Sequence, residues 1–285
     1  MSLGHIDRYK VIRETKLGYV LYKDGIEYFL HHNECNGRLL YNGDYVDAFL
    51  YADKLGRLAA TLYPPLVESG QINFLEVKGV KEEIGVFCDI GISKDILLSR
   101  DDLPRDFKEW PKVGEKIVGE LRAKNERLVI KMATKSQILN KIVDDKITYN
   151  DGEVVSGVIY RMTDEGLSLA TSDFQIIFIY KTNYRGTHHL GEELDVKIID
   201  VKDDYYNGTI IKNKEFQIQD DEAIILDYLH KNNGVSLITD KSNPDLIKKV
   251  LNMSKRAYKD ALGGLLKQGK IIITDTKVIL NDLKF

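Results

Sequence analysis

Gly18-Tyr19-Val20-Leu21, then Tyr28-Phe29-Leu30-His31, then Gly43-Asp44-Tyr45-Val46: this succession of short apolar stretches, with glycine opening the first and the last, decides how the chain is read. It returns as Gly85-Val86-Phe87-Cys88, Ile96-Leu97-Leu98-Ser99 and Gly114-Glu115-Lys116-Ile117. It returns again as Gly166-Leu167-Ser168-Leu169, Ile177-Phe178-Ile179-Tyr180 and Gly191-Glu192-Glu193-Leu194, at near-constant spacing. Val, Ile, Tyr and Phe suit strands, and the Gly, Asp and Asn between them suit tight turns. A glycine ahead of an acidic residue marks a turn with positive φ. Alternation in Val154-Val155-Ser156-Gly157-Val158-Ile159-Tyr160 and along Leu194–Val201 indicates strands with one buried face. Each repeat holds about five short strands, the content of a small closed Greek-key barrel of the OB type.

Outward from the repeats, Tyr63-Pro64-Pro65-Leu66 reads as a stiff connector, and 135–150 as a helical or irregular joint. From Asp221 the period turns helical, with Ile224, Ile225, Leu226, Tyr228 and Leu229 on a first helix. Asn243-Pro244-Asp245 starts a second, carrying Leu246, Ile247, Val250 and Leu251. Ser254 caps a third, with Ala257, Tyr258, Ala261, Leu262, Leu265 and Leu266 at helical spacing, and Gly269 ends it. Ile271-Ile272-Ile273-Thr274 and Val278-Ile279-Leu280 then form a hairpin. Three helices and a hairpin are the winged-helix arrangement. The predicted architecture is mostly β with a C-terminal α/β part: three tandem five-stranded OB-fold barrels over 1–65, 66–140 and 141–218, then a winged-helix domain over 219–285.

The 285 residues are 43% hydrophobic and 30% charged, enough apolar material to exclude a disordered chain. No run approaches the roughly 18 apolar residues of a membrane span, and Met1-Ser2-Leu3-Gly4-His5-Ile6-Asp7-Arg8 lacks the pattern of a secretory leader. Cys35 and Cys88 are far apart and read as reduced thiols. A cytoplasmic protein without membrane contact is expected. Net charge is −3, so any polyanion must be held by local patches rather than by a global field.

The repeated unit, with Asp53-Lys54-Leu55-Gly56-Arg57-Leu58 in its first copy, resembles the S1 domain, an RNA-binding OB module. Three such modules with a C-terminal winged helix resemble the bacterial conserved virulence factor B (CvfB) family. The most specific stretches are Asp240-Lys241-Ser242-Asn243-Pro244, Met253-Ser254-Lys255, Ala261-Leu262-Gly263-Gly264-Leu265, and Leu103-Pro104 through Trp110-Pro111-Lys112-Val113-Gly114-Glu115. The resemblance implies an RNA-binding post-transcriptional regulator with no catalytic step. It also implies an RNA face with aromatics on the second strand, a histidine after the third, and an Asp/Arg pair near the fourth and fifth. By that pattern module one keeps His31, Asp53 and Arg57, with Val20 in the aromatic place. Module two keeps Phe87 and Arg127, with Ser99 for the histidine. Module three offers Ser168 and Tyr180, and reads Asp203-Asp204-Tyr205-Tyr206-Asn207-Gly208 where the Asp-Gly-Arg segment belongs. No module is complete, so weak sites are expected to add through their linkage.

Other signals carry less. His31 and His32, read as neighbours on one strand, point to opposite faces, and with Cys35, His188 and His189 they match no zinc spacing. Gly264-Leu265-Leu266-Lys267-Gln268-Gly269-Lys270 has phosphate-loop spacing but lies at a helix end and lacks the following Ser or Thr. The acid pairs Asp101-Asp102, Asp144-Asp145, Asp203-Asp204 and Asp220-Asp221 have no partner at catalytic spacing. No catalytic residue, metal or cofactor is expected. Lys255, Arg256 and Lys259 form a basic cluster in the first turns of the third helix, where the helix dipole also favours phosphate. The expected function is non-enzymatic binding of single-stranded RNA. The competing readings are a DNA-binding regulator acting through the winged helix, an accessory subunit of an RNA-processing enzyme, and a protein scaffold.

Overall fold

A side chain has no room at the start of the second strand of each repeat. A Cβ placed on Gly18, Gly85 or Gly166 would lie 2.1 Å from a backbone oxygen, that of Leu30, Leu98 or Ile179. Strands two and three therefore approach closely at the same point in all three repeats of the computed structural model. The model describes residues 3–53, 55–141, 148–211 and 214–281, with the backbone alone for 214–220. Lys54 and the Asp144-Asp145 pair lie outside the described residues, as does the side chain of Asp220. The chain divides into two units, Met1–Ile210 and Ile211–Phe285.

The first unit contains three closed barrels. Strands β1 (Ile6–Thr15), β2 (Gly18–Lys23), β3 (Ile26–His31), β4 (Tyr45–Ala52) and β5 (Leu58–Thr61) build the first. The second comprises β6 (Ile72–Lys81), β7 (Gly85–Cys88), β8 (Ile96–Ser99), β9 (Lys116–Lys124) and β10 (Arg127–Met132), followed by the short helix α1 (Lys135–Leu139). The third comprises β11 (Val154–Met162), β12 (Gly166–Ala170), β13 (Ile176–Tyr180), β14 (Glu193–Val201) and β15 (Tyr206–Thr209). Each closes as 1-2-3-5-4, the third and fifth strands pairing in parallel. The register breaks once in each first strand, between Val11 and Arg13, Val77 and Gly79, and Ile159 and Arg161. Such bulges bend a strand, which lets five strands curl into a barrel.

The glycine–acid turns have a local cause. Gly43, Gly114 and Gly191 sit at φ of 99°, 90° and 80°, where a Cβ is disfavoured. The acid that follows accepts the backbone N–H three residues earlier: Asp44 from Tyr41 at 2.8 Å, Glu115 from Lys112 at 2.7 Å, Glu192 from His189 at 3.2 Å. The repeat signature thus closes the turn into the fourth strand.

Each barrel has its own core, and the barrels also share apolar layers. Tyr9, Leu21, Leu30 and Leu50 fill the first; Leu75, Val86, Leu98, Ile117 and Ile130 the second; Ile159, Leu169, Ile177 and Val196 the third. Trp110 closes the second core and donates its indole N–H to the Pro104 carbonyl at 2.7 Å. Phe49 and Tyr51 of β4 pack into the second core, and Lys94 donates to the Ala52 carbonyl at 2.6 Å. The Pro-Pro connector is tied down where Leu66 N–H meets the Ile90 carbonyl at 2.7 Å. Between barrels two and three, Ile72, Val118, Ile138, Tyr160 and Ile176 form one layer. Beside it His189 Nε2 lies 2.8 Å from Glu115 Oε1. Of the joint read over 135–150, Lys135–Leu139 is helical, and 142–147 lie outside the described residues.

The second unit is a winged helix: α2 (Lys214–Lys231), β16 (Val235–Ser236), α3 (Pro244–Leu251), α4 (Lys255–Lys267), β17 (Ile271–Ile273) and β18 (Val278–Leu280). Helix α2 starts ahead of Asp221, where the apolar period begins, because Lys, Glu and Gln in that stretch are ordinary helix formers. The two-residue β16 adds a third strand beside β18, too short to leave a period in the sequence. Leu246 and Val250, read as apolar positions of α3, are 45% and 39% exposed, and only Ile247 and Leu251 reach the core. Tyr258 is buried and donates its hydroxyl to the Ile238 carbonyl at 2.7 Å, tying α4 to the segment before α3. Among the described residues, no helix is long and apolar enough to cross a membrane.

The close approach at the second strand is testable. Gly18→Ala is expected to lower the stability of the barrel unit by about 2 kcal/mol or more, the scale of overpacking against backbone that cannot yield. Gly263→Ala, in α4 with open space around it, is expected to stabilise the winged helix by about 0.5–1 kcal/mol. Urea denaturation of the two variants checks the opposite signs.

Candidate nucleic-acid interface

Strand pairing makes the three barrel faces equivalent residue by residue. Gly18 pairs with His31, Gly85 with Ser99, and Gly166 with Tyr180. One side-chain pair further along, Val20 faces Phe29, Phe87 faces Leu97, and Ser168 faces Phe178. The parallel pairs, Phe29 with Ala59, Leu98 with Ile130 and Phe178 with Asn207, bring the start of the fifth strand alongside. Arg127 opens that strand, and Arg57 and Tyr205 immediately precede it at the equivalent register position. In each barrel, residues from strands two, three and five thus meet on one outer surface.

On barrel one, β3 ends at His31, and His32 begins a 3-10 turn rather than continuing the strand as the sequence suggested. His31 Nδ1 accepts the Asn33 N–H at 3.1 Å, which leaves Nε2 to carry the proton of the neutral ring. Asp53 organises the other edge. Its Oδ1 accepts from the backbone N–H groups of Leu55 at 2.8 Å and Arg57 at 2.9 Å, and its Oδ2 from the Arg57 guanidinium at 2.9 and 2.7 Å. The Arg57 backbone N–H, then its guanidinium and the Leu55 N–H, hold this carboxyl below the ordinary range. Arg57 is aimed but remains 71% exposed at its side chain, so it is open to an anion. Val20 is buried and offers no platform.

On barrel two, Val86 and Cys88 are buried while Phe87 between them faces outward, half-buried. Its ring passes over Gly79, where no side chain intervenes, and Lys81 sits 5.8 Å from its centroid. Ser99 caps the 3-10 turn after β8 as His31 does after β3. Arg127 is exposed, with no ion pair among the described residues. Barrel three differs. Phe178 and Tyr180 meet edge to face at 4.8 Å, and Lys135 of α1 lies 4.8 Å from the Tyr205 ring. Phe178, Tyr205, Lys135 and Arg161 line this surface and were not singled out from the sequence; register counting from the Gly166–Tyr180 pair locates the first two, while Lys135 arrives only through packing of α1.

The winged-helix cluster is less uniform than its spacing implied. Ser254 caps α4, its Oγ accepting the Ala257 N–H at 3.2 Å. Lys255 donates to the Ser242 carbonyl at 3.0 Å, and Lys259 lies 4.0 Å from Asp240. Both therefore turn toward the segment before α3, Lys255 half-buried and Lys259 still exposed, while Arg256 is exposed as well. Cys35 and Cys88 are buried free thiols. Burial pushes Cys88 up to about 12, and Cys35 Sγ donates to the His31 carbonyl at 3.4 Å.

Three closed OB-like barrels, the first two matched by S1-type family models, and a winged helix define a multi-module protein of nucleic-acid-binding type. Family models match three segments: an S1 domain over 3–63, a CvfB first S1-like domain over 72–131, and a CvfB-like winged helix domain over 223–280. The chain belongs to the conserved virulence factor B family. It is 32% identical to the protein of Bacillus subtilis called "Uncharacterized protein YitL", over 90% of this chain and 87% of that one. To conserved virulence factor B of Staphylococcus aureus it is 30% identical, over 84% and 80%. A crystal structure from Streptococcus pneumoniae, described as a multidomain protein with nucleic acid binding domains, matches 98% of both chains at 28% identity with a TM-score of 0.64.

Asp53→Ala removes the acceptor for two backbone donors, and hydrogen bonds to a charged group contribute about 1.5–3 kcal/mol each net of solvent, less near the surface. Because the folded carboxyl is held low, its contribution is complete above the unfolded carboxylate range near pH 4 and fades as pH falls through the lower folded value. The stability gap between wild type and Asp53→Ala should therefore be widest at neutral pH and shrink below pH ~4, as measured by urea titration across pH.

Proposed function

We propose that the protein is a non-enzymatic, cytoplasmic RNA-binding regulator that acts after transcription and holds single-stranded RNA across several barrels with help from the winged helix. The register equivalence carries this reading. It supports a reading in which His31, Asp53 and Arg57, then Phe87 and Arg127, then Tyr180, contact RNA at corresponding positions of the three barrels. Aromatic faces accept any base by stacking, and arginines at the edges take phosphates. Each barrel alone is poorly equipped, and the packed layers between barrels hold the three surfaces in fixed relation. Contacts that are weak one at a time gain strength when they act on one strand.

Titration of single-stranded RNAs of increasing length, at two salt concentrations, tests this. Affinity is expected to rise with length until several surfaces are occupied, and the RNA to remain intact with magnesium present. Arg57→Ala and Arg127→Ala should each flatten the log–log salt slope by about 0.7 if a phosphate contact is lost. Preference for duplex DNA in competition, lost on Arg256→Ala, would instead support a DNA regulator working through α4. Arg256→Ala should leave the fold intact, whereas Lys255→Ala should also lower the melting temperature, because Lys255 satisfies the Ser242 carbonyl.

A further inference from the structure

We propose that the third barrel is a nucleobase-stacking pocket in which Tyr205 replaces the phosphate-binding arginine of the other two, with Lys135 of α1 positioning its ring. The proposal rests on the RNA reading above and deepens it at one surface. Tyr205 immediately precedes the fifth strand, at the register position where barrels one and two carry Arg57 and Arg127. An exposed guanidinium is thus exchanged for a half-buried aromatic ring. Phe178 and Tyr180 supply two more rings, perpendicular to each other at 87°. Between the aromatics lies a cavity of about 230 Å³. That is smaller than the roughly 300–1,000 Å³ of sites for drug-sized ligands, and suits a single flat ring system.

The floor explains why this surface is hollow. Ser168 stands opposite Phe178, at the position that Phe87 fills on barrel two. A small residue there removes a platform and leaves a slot bounded by the neighbouring rings. Lys135 and Arg161 line it together with the acidic Glu165. Lys135 Nζ is 4.8 Å from the Tyr205 centroid, within the range of a cation–π contact. Arg161, exposed and paired in register with Ser168, is placed for a flanking phosphate.

Lys135 is the first residue of α1, with an exposed side chain over the Tyr205 ring. Thr134 and Gln137 form a reciprocal capping box around it, and Ile138 is buried in the layer shared by barrels two and three. The ring that completes the barrel-three pocket is therefore oriented by the segment leaving barrel two. Base stacking at barrel three consequently depends on correct docking of the two barrels, and an isolated third barrel lacks this support.

The test uses the full chain and a single-stranded RNA carrying 2-aminopurine, whose fluorescence is quenched on stacking, at successive positions. In wild type, one position is expected to be quenched beyond the others. Tyr205→Ala should abolish that quench and weaken binding by roughly 5- to 150-fold, the range that base–aromatic stacking implies, with the salt slope unchanged. Tyr205→Phe should behave as wild type, which separates stacking from loss of fold. Tyr205→Arg should recover affinity at low salt with a slope steeper by about 0.7, while the quench stays lost. Lys135→Ala should reduce the quench, and Lys135→Arg should restore it. If Tyr205→Ala retains quench and affinity while Arg57→Ala still weakens binding, the pocket is refuted and the RNA reading stands. If wild type fails to bind single-stranded RNA, the reading beneath the pocket falls first.

Discussion

The backbone contact between the opening glycine of strand two and the carbonyl across from it on strand three is the constraint on which the barrel faces depend. At 2.1 Å from a would-be Cβ, it admits no side chain in any of the three copies. The contact fixes the register of strands two and three. A slip of one residue would send every side chain to the opposite face, burying Phe87 and Tyr180 and exposing core residues such as Val86 and Ile179. The bulge in the first strand and the parallel pairing of strands three and five then close the barrel, leaving that face outside.

With geometry held constant, the three barrels differ in chemistry. Barrel one has a turn stapled by Asp53 and an arginine aimed by the same carboxylate, beside a histidine whose Nδ1 is already occupied. Barrel two presents a flat aromatic ring over a glycine, with a lysine near it. Barrel three is concave and aromatic. A strand of nucleic acid passing over such surfaces would meet phosphate-directed and base-directed contacts in turn. A net charge of −3 gives little long-range attraction, so short-range contacts dominate affinity.

Packing between barrels links these surfaces. Phe49 and Tyr51 of the first barrel are buried in the second core, and Ile138 of α1 lies in the layer between the second and third. Polar contacts add specificity to these joints: Lys94 to the Ala52 carbonyl, His189 to Glu115. Glu115 has two tasks, since its other oxygen closes the turn at Lys112. The acid that the repeat requires locally is thereby recruited to fasten barrel three onto barrel two.

Much of this was legible in the residues themselves. Glycine before an acid, apolar alternation and the caps Asn243 and Ser254 are local signals, because turns and helix ends are decided by neighbours in the chain. They determined three barrels and a winged helix, whereas His31, Arg57, Phe87 and Arg127 were marked by the resemblance to the S1 pattern and not by local signals. Long-range packing decided the rest. No local pattern tells whether Phe87 faces core or solvent, since both its neighbours are apolar; register across strands two and three turns it outward. Lys255 and Lys259 look alike in a helical projection, yet the segment at Asp240–Ser242 folds back beside them and engages both. Lys135 reaches Tyr205 across dozens of residues because Ile138 anchors α1 in the layer between two barrels. Contacts of that kind depend on which surfaces meet, and only tertiary structure brings those surfaces together.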